Sequence, residues 1–336
     1  MFNFLPFIST TLLLALFPFS HGSDIGKITE EENQRLIQEC DPDVKKINKR
    51  MMNGKRFDSS QMRYTVMLEI QTLMPSRCSG VIISPKHVLT AAHCFITYGM
   101  CRSGPILEDG KLSTPEEIPV LVHYGGTCVE VREGGKCPKF ALAKKVKVLH
   151  IGVPTRYFES RCRSGDIAIV EVAEIFEGKG SHYEHACLPS NVTKLAKKLS
   201  SAGYGYDPHH ISVKEKYVER VWFTKERFCD PTVRAGKDAF CVLEKFQFAC
   251  RGDSGSGVMQ PANSEKDYVM GVLSRGLNCD DVDISLRRDP NPTREFRGSV
   301  MTNVRKYLNF ICLHAGVCEK HLDQKNLVKQ RIYDVY

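Results

Sequence analysis

The sequence predicts an all-β chain, a sandwich or a barrel, on three observations. First, short apolar runs recur between turn residues: Gly80-Val81-Ile82-Ile83, Val120-Leu121-Val122, Ala143 to Leu149, Ile167 to Val172, Tyr217 to Phe223, Tyr268 to Ser274 and Val300 to Val304. Second, between Arg63 and Ile70 the residues Tyr64, Val66, Leu68 and Ile70 alternate with others, the period of a strand with one buried face. Third, long helical periodicity is almost absent, and the clearest helix lies near the end, where Val304, Tyr307, Leu308 and Ile311 share one face. Many short strands closed by turns are the pattern of sandwiches and barrels.

The ends of the chain have a different texture. Phe4 to Phe19 is nearly uncharged, contains the run Leu12-Leu13-Leu14-Ala15-Leu16-Phe17, and leads into Ser20-His21-Gly22. This is the pattern of a secretory signal peptide over residues 1–22, and it places the mature protein outside the cell. The run is short for a spanning helix, and no later stretch reaches the ~20 apolar residues a bilayer crossing needs, so the mature form is expected to lack a membrane span. Residues 23–50 are hydrophilic, hold one cysteine, Cys40, and end in Lys45-Lys46-Ile47-Asn48-Lys49-Arg50. They read as a pro-segment before a main domain at 51–318. Residues 319–336 read as a polar tail, loosely ordered or a surface helix.

With 336 residues, 42% hydrophobic and 26% charged, the chain can bury one large core or two smaller ones, which excludes a disordered or fibrous protein. The net charge of +8 is spread along the length, with short clusters at Lys144-Lys145, around Lys197-Lys198 and at Arg287-Arg288. Such clusters are solvated faces, and no nucleic-acid partner is expected. Fourteen cysteines behind a signal peptide imply a disulfide framework formed in an oxidising compartment. No histidine accompanies a Cys-x-x-Cys pair and no acidic cluster requires calcium, so neither a metal nor an organic cofactor is expected.

Two segments carry chemistry: Thr90-Ala91-Ala92-His93-Cys94, and Cys250-Arg251-Gly252-Asp253-Ser254-Gly255-Ser256-Gly257. Between them lies Gly165-Asp166-Ile167-Ala168-Ile169-Val170, an aspartate leading into an apolar strand. In these three segments, and over about residues 51 to 313, the chain resembles the chymotrypsin-like, trypsin-fold serine peptidases. The resemblance implies two packed six-stranded antiparallel β-barrels with a C-terminal helix, and cleavage of protein or peptide substrates. It gives His93 the role of general base, Asp166 that of its orienting carboxylate and Ser254 that of nucleophile. A serine hydroxyl is a poor nucleophile at neutral pH, so it needs a base within hydrogen-bond reach and a fixed imidazole tautomer. The amides of Gly252 and Ser254 would hold the oxyanion.

Further expectations follow from the same resemblance. Ser274-Arg275-Gly276 is similar to the strand that pairs with substrate backbone, with Arg275 where the family usually has Trp and Gly276 keeping the pocket mouth open. The pocket floor lies six residues before the nucleophile, at Phe248, where tryptic enzymes carry Asp. With Ser299 on the opposite wall, this implies a shallow pocket for small or medium uncharged residues. Arg50-Met51-Met52-Asn53-Gly54 is similar to an activation site. An activating protease would cut after Arg50, and the Met51 amine would pair with Asp253. Protein inhibitors are the remaining expected partners. The implied disulfides are Cys78 with Cys94, Cys229 with Cys241, Cys250 with Cys279 and Cys40 with Cys187. Cys101, Cys128, Cys137, Cys162, Cys312 and Cys318 are left open, four of them in the 73-residue interval between His93 and Asp166. Asn191-Val192-Thr193 is a glycosylation sequon. Because Met51, Phe248 and Arg275 depart from the usual pattern, a catalytically inactive homologue that acts as a binding or scaffold protein is the alternative.

Overall fold

A computed structural model describes residues 25–41, 63–71, 75–96, 119–176, 183–207, 214–263, 266–291, 294–320, 322 and 332–334. The signal segment, Arg50 and Met51 lie outside these residues. Six strands close a first barrel: β1 (Thr65–Ile70), β2 (Ser76–Ser84), β3 (His87–Thr90), β4 (Val120–Tyr124), β6 (Lys144–Pro154) and β7 (Ala168–Val172), in the order β6-β4-β1-β2-β3-β7 with β7 returning to β6. β5 (Cys128–Glu130) and β9 (Glu215–Tyr217) form a separate two-stranded sheet. The second barrel is β10-β11-β14-β13-β12-β8, built from β8 (Lys198–Gly203), β10 (Glu219–Lys225), β11 (Ala239–Glu244), β12 (Gly257–Pro261), β13 (Asp267–Arg275) and β14 (Phe296–Asn303). All pairings between strands are antiparallel within each ring, so the fold is the expected pair of six-stranded barrels.

Strand β1 is not buried on one face only. Val66, Met67 and Leu68 are all fully covered, because one face fills the barrel while Ala202, Tyr204 and Met259 of the second barrel join the same apolar cluster. Packing two barrels together thus erases the alternation that the sequence shows. The expected C-terminal helix is present as Leu308–Ala315, closed by Gly316 at φ 73°.

Four further features lie outside the sequence reading. Helix α1 (Glu30–Glu39) folds within the supposed pro-segment, with Thr29 and Glu32 forming a reciprocal capping box. Helix α2 is a short turn, Thr155–Glu159, and helix α3 spans Cys279–Arg288 with Asn278 capping the Asp280 amide, ahead of the C-terminal helix, now α4. In the tail, strand β15 (Ile332–Asp334) pairs antiparallel with Gly152 to Pro154 of β6, in place of a loose coil or helix. Disulfides join Cys40–Cys187, Cys78–Cys94, Cys128–Cys137, Cys229–Cys241, Cys250–Cys279 and Cys312–Cys318. The first, second, fourth and fifth are the pairs that the resemblance implies, and the other two settle four cysteines that the sequence left open.

Candidate active site

The first barrel brings His93 and Asp166 together through strand register. β3 runs antiparallel to β7 with Thr90 opposite Ala168, so the residues just past each strand end lie side by side. After β3 the chain enters a 3-10 turn, Ala92–Cys94, which carries His93. Asp166 precedes β7 and is 7% exposed. Its Oδ1 accepts the His93 backbone N–H at 2.9 Å, and its Oδ2 accepts from His93 Nδ1 at 2.8 Å. The Ser274 hydroxyl donates to the same Oδ2 at 2.5 Å, and Thr302 Oγ1 donates to the Asp166 carbonyl at 2.8 Å. Gly165 must be glycine here: its φ is 80°, and a Cβ would sit 2.6 Å from the Tyr157 amide nitrogen.

These contacts set the charge of the pair. Burial by itself would raise the Asp166 carboxyl, but the His93 charge and the hydrogen bonds from His93 and Ser274 outweigh it and hold the pKa below the ordinary value. Burial likewise works against a charged His93 ring, and the Asp166 charge and hydrogen bond overcome it, leaving the pKa above the ordinary 6.5. With Nδ1 donating to Asp166, the other ring nitrogen, Nε2, is left as the proton acceptor.

Ser254 stands on the turn between β11 and β12, and the first barrel pins that turn. Ser79 of β2 donates its amide to the Ser254 carbonyl at 2.8 Å and its hydroxyl to the Gly252 carbonyl at 3.0 Å. The Cys78–Cys94 disulfide closes beside it, with Cys94 Sγ 3.9 Å from the Ser254 carbonyl oxygen. Gly255 has φ 86°, and a Cβ there would lie 2.0 Å from Thr90 Oγ1, so the turn can press this closely on β3 only with glycine. Gly252 has φ 100°. Among the described residues, the amides of Gly252 and Ser254 have no internal acceptor, and neither Ser254 Oγ nor His93 Nε2 makes a hydrogen bond. The Ser254–His93 bond is therefore not formed in this structure.

Behind the turn, the Asp253 carboxylate faces a cavity of about 260 Å³ bordered by Gly205, Arg220, Phe246, Val282 and Leu286. It accepts the amides of Gly205 and Cys250, each at 2.8 Å. Burial pushes its pKa up to about 6, against the pull of those two hydrogen bonds. Among the described residues it has no ion-pair partner.

The other positions that the resemblance singles out make contacts of their own. The Arg275 guanidinium donates to the carbonyls of Val233 and Arg234, and its charge opposes a charged His93 ring. A Cβ on Gly276 would lie 2.7 Å from the Ala249 carbonyl oxygen, so a larger residue here would crowd that backbone. The Phe248 ring packs edge-on against Phe296, with centroids 5.2 Å apart. Ser299 is fully buried, and its hydroxyl is bonded to Glu244, a residue that the sequence reading passed over. Ser274, expected only on the substrate strand, also buttresses Asp166. Asn191 lies exposed on a turn.

Comparison with known proteins agrees with this architecture. The family model described as the nematode trypsin-6-like family matches residues 10–318. The chain belongs to that family. It is a divergent member of the trypsin-like serine proteases. It is 27% identical over 263 residues to "Trypsin-like protease try-5" of Caenorhabditis elegans, covering 70% of this chain and 76% of that protein. It is 24% identical over 271 residues to "Mannan-binding lectin serine protease 1" of Mus musculus, where 76% of this chain matches only 36% of the relative. "Serine protease grass" of Drosophila melanogaster is 23% identical over 285 residues, covering 79% of this chain and 67% of that protein. At family level the chain is thus a peptidase hydrolase, with relatives that are named serine proteases.

Proposed function

We propose that the protein is a secreted serine endopeptidase, made as a zymogen, that cleaves peptide bonds through an acyl-enzyme on Ser254. The observation that carries this reading is the Asp166–His93 pair, which fixes the imidazole with Nε2 as proton acceptor. In the reaction, Nε2 takes the Ser254 proton as Oγ attacks the scissile carbonyl, then returns it to the leaving amine. The acceptor-free amides of Gly252 and Ser254 are the donors for the oxyanion, and loss of one such donor typically costs about 10²–10³ in rate. The names of the relatives support the same class of reaction.

Activation follows cleavage after Arg50. The new Met51 amine enters the cavity at Asp253, where a carboxylate with no ion-pair partner among the described residues and apolar side chains of Phe246, Val282 and Leu286 suit a charged amine on an apolar residue. Pairing ionises Asp253 and orders the neighbouring Gly252 amide. Losing one partner of a buried pair costs about 3–5 kcal/mol, enough to separate an active from an inactive form. Secretion rests on the signal pattern of residues 1–22, and Asn191 on its exposed turn is the glycosylation acceptor. Among the described residues no helix is long and apolar enough to cross a membrane. Protein substrates, the protease that cuts after Arg50 and protein inhibitors are the partners.

The alternative, which the names of the relatives do not favour, is a catalytically inactive homologue that keeps the fold as a binding or scaffold protein. One experiment separates the two. The purified chain is cut after Arg50, the new terminus is sequenced, and a fluorophosphonate probe is added. Labelling that disappears in Ser254→Ala is the expected result, whereas absent or Ser254-independent labelling excludes this nucleophile.

A further inference from the structure

The segment that delivers Asp166 to His93 does not take an easy path. It turns through Arg161 and Cys162 at φ 54° and 60°, left-handed values that side chains resist, and then through Gly165 at φ 80°. Its end is held by the second barrel. Ser274 of β13 donates to the Asp166 carboxylate and Thr302 of β14 to the Asp166 carbonyl. A third tether comes from Asp238, the residue before β11, whose Oδ2 accepts the Gly165 amide at 2.7 Å, one residue ahead of Asp166. Asp238 is itself fixed at both ends. Its carbonyl accepts the Asn303 amide at 2.8 Å, and the buried Tyr307 hydroxyl, just ahead of α4, donates to the same Oδ2. The turn before Asp238 presses on the same segment, since a Cβ on Gly236 would lie 2.4 Å from Ser164 Oγ and 2.5 Å from the Arg163 carbonyl oxygen.

The chemistry of this tether suits a group that only accepts. A carboxylate oxygen takes both hydrogen bonds and has no N–H to set against the Gly165 amide. Burial and the Asp238 charge push the Tyr307 pKa above the ordinary tyrosine value, so its hydroxyl stays a donor. On the reading that His93 and Asp166 serve hydrolysis, we propose that Asp238, held by Tyr307, is a positioning residue of the reaction: by anchoring Gly165 from the second barrel it sets how the Asp166 carboxylate meets the ring and the amide of His93. It acts through Gly165 and not by contact with the reacting atoms. The pairing inside the first barrel thereby depends on how the two barrels are seated.

The test compares wild type with Asp238→Ala, Asp238→Asn and Tyr307→Phe, each as the full chain cut after Arg50. Asparagine keeps an oxygen that can accept from both donors and loses the charge. The His93 ring is titrated by proton NMR, its signal assigned by absence from His93→Ala, and kcat and KM are measured on a peptide that wild type selects from a mixed library. In wild type the ring titrates above 6.5. In Asp238→Ala its pKa and the acid limb of kcat/KM should move down toward 6.5, and kcat should fall about 10- to 100-fold with KM little changed, as for a misplaced catalytic group. Asp238→Asn should recover most of both, with Tyr307→Phe between. Arg275, which opposes a charged His93 ring, and Arg156, which acts on Tyr307, are kept in all three variants, so the shift reports the seating of Asp166. A wild-type titration in folded Asp238→Ala, with only a lower urea midpoint, overturns the assignment. So does an equal shift in Asp238→Asn, which traces the effect to charge alone. If Asp238→Ala does not fold, Tyr307→Phe decides by the same shift or its absence. The NMR titration needs no turnover, so a shift without Ser254 labelling in any of the proteins supports the anchor while removing the hydrolase.

Discussion

The Asp166 carboxylate stays ionised in a nearly dry site because three donors converge on it: the His93 amide, the His93 ring and the Ser274 hydroxyl. The raised His93 pKa has a sign that kinetics can read. The ring must be neutral to act as base, so activity is lost as pH falls through the folded-state pKa, which lies above 6.5. The acid limb of the labelling rate of the activated protein should therefore fall above pH 6.5. In Asp166→Asn the counter-charge is gone while burial remains, so the limb should move below the ordinary value and the rate should drop about 10⁴-fold. An unshifted limb in that variant would remove Asp166 from its role. His93, Asp166 and Ser254 are proposed from the segments that carry the family resemblance, and of the three the structure pairs His93 with Asp166. Glu244 and the bond from Ser274 to Asp166 could not be read from sequence, because a single polar residue at a strand end shows no partner until Ser299 or Asp166 is folded against it.

At the scale of elements, one hydroxyl couples the barrels. Ser79 Oγ on β2 donates to the Gly252 carbonyl and accepts the buried Tyr204 amide at 3.0 Å. Ser79→Ala leaves that amide without a partner, at an expected cost of about 1–3 kcal/mol in urea denaturation. The same variant should slow labelling of Ser254, because the turn carrying Gly252 loses a tether while His93 and Asp166 are untouched. Unchanged stability and rate together would show that the backbone bond from Ser79 suffices. Strands whose apolar residues fall in clear runs, such as β7 and β13, were legible. β8 was not, because buried Ser200 and Ser201 interrupt its pattern, and their hydroxyls are satisfied by Arg220 of neighbouring β10 and by Ser256 and Gly257 at the start of neighbouring β12. For α1 the signal was present, Thr29 followed three residues later by Glu32, but the charged stretch around it masked three buried apolar residues.

At the scale of the molecule, residues 25–41 behave as part of the folded body and not as a detachable leader. Ile25, Ile28 and Leu36 enter the main core, the Ile28 amide donates to the Ala315 carbonyl at the end of α4, and Asn33 Oδ1 accepts the Cys318 amide at 2.9 Å. Gly26 is fastened at Glu171 and His87, and Cys40 is cross-linked to Cys187 across 147 residues of sequence. This strap therefore joins the first barrel to the C-terminal helix. Leu36→Ala in the full-length chain should cost about 2–5 kcal/mol, the usual range for truncating a buried leucine, read as a lower urea midpoint with unchanged m-value. A hydrophilic pro-segment lying outside the core would instead give a change within about 0.5 kcal/mol, as surface substitutions do. The same comparison in the cut protein carries the argument further: if the strap remains docked, Leu36→Ala lowers the midpoint there too, and if cleavage frees it, the two cut proteins unfold together.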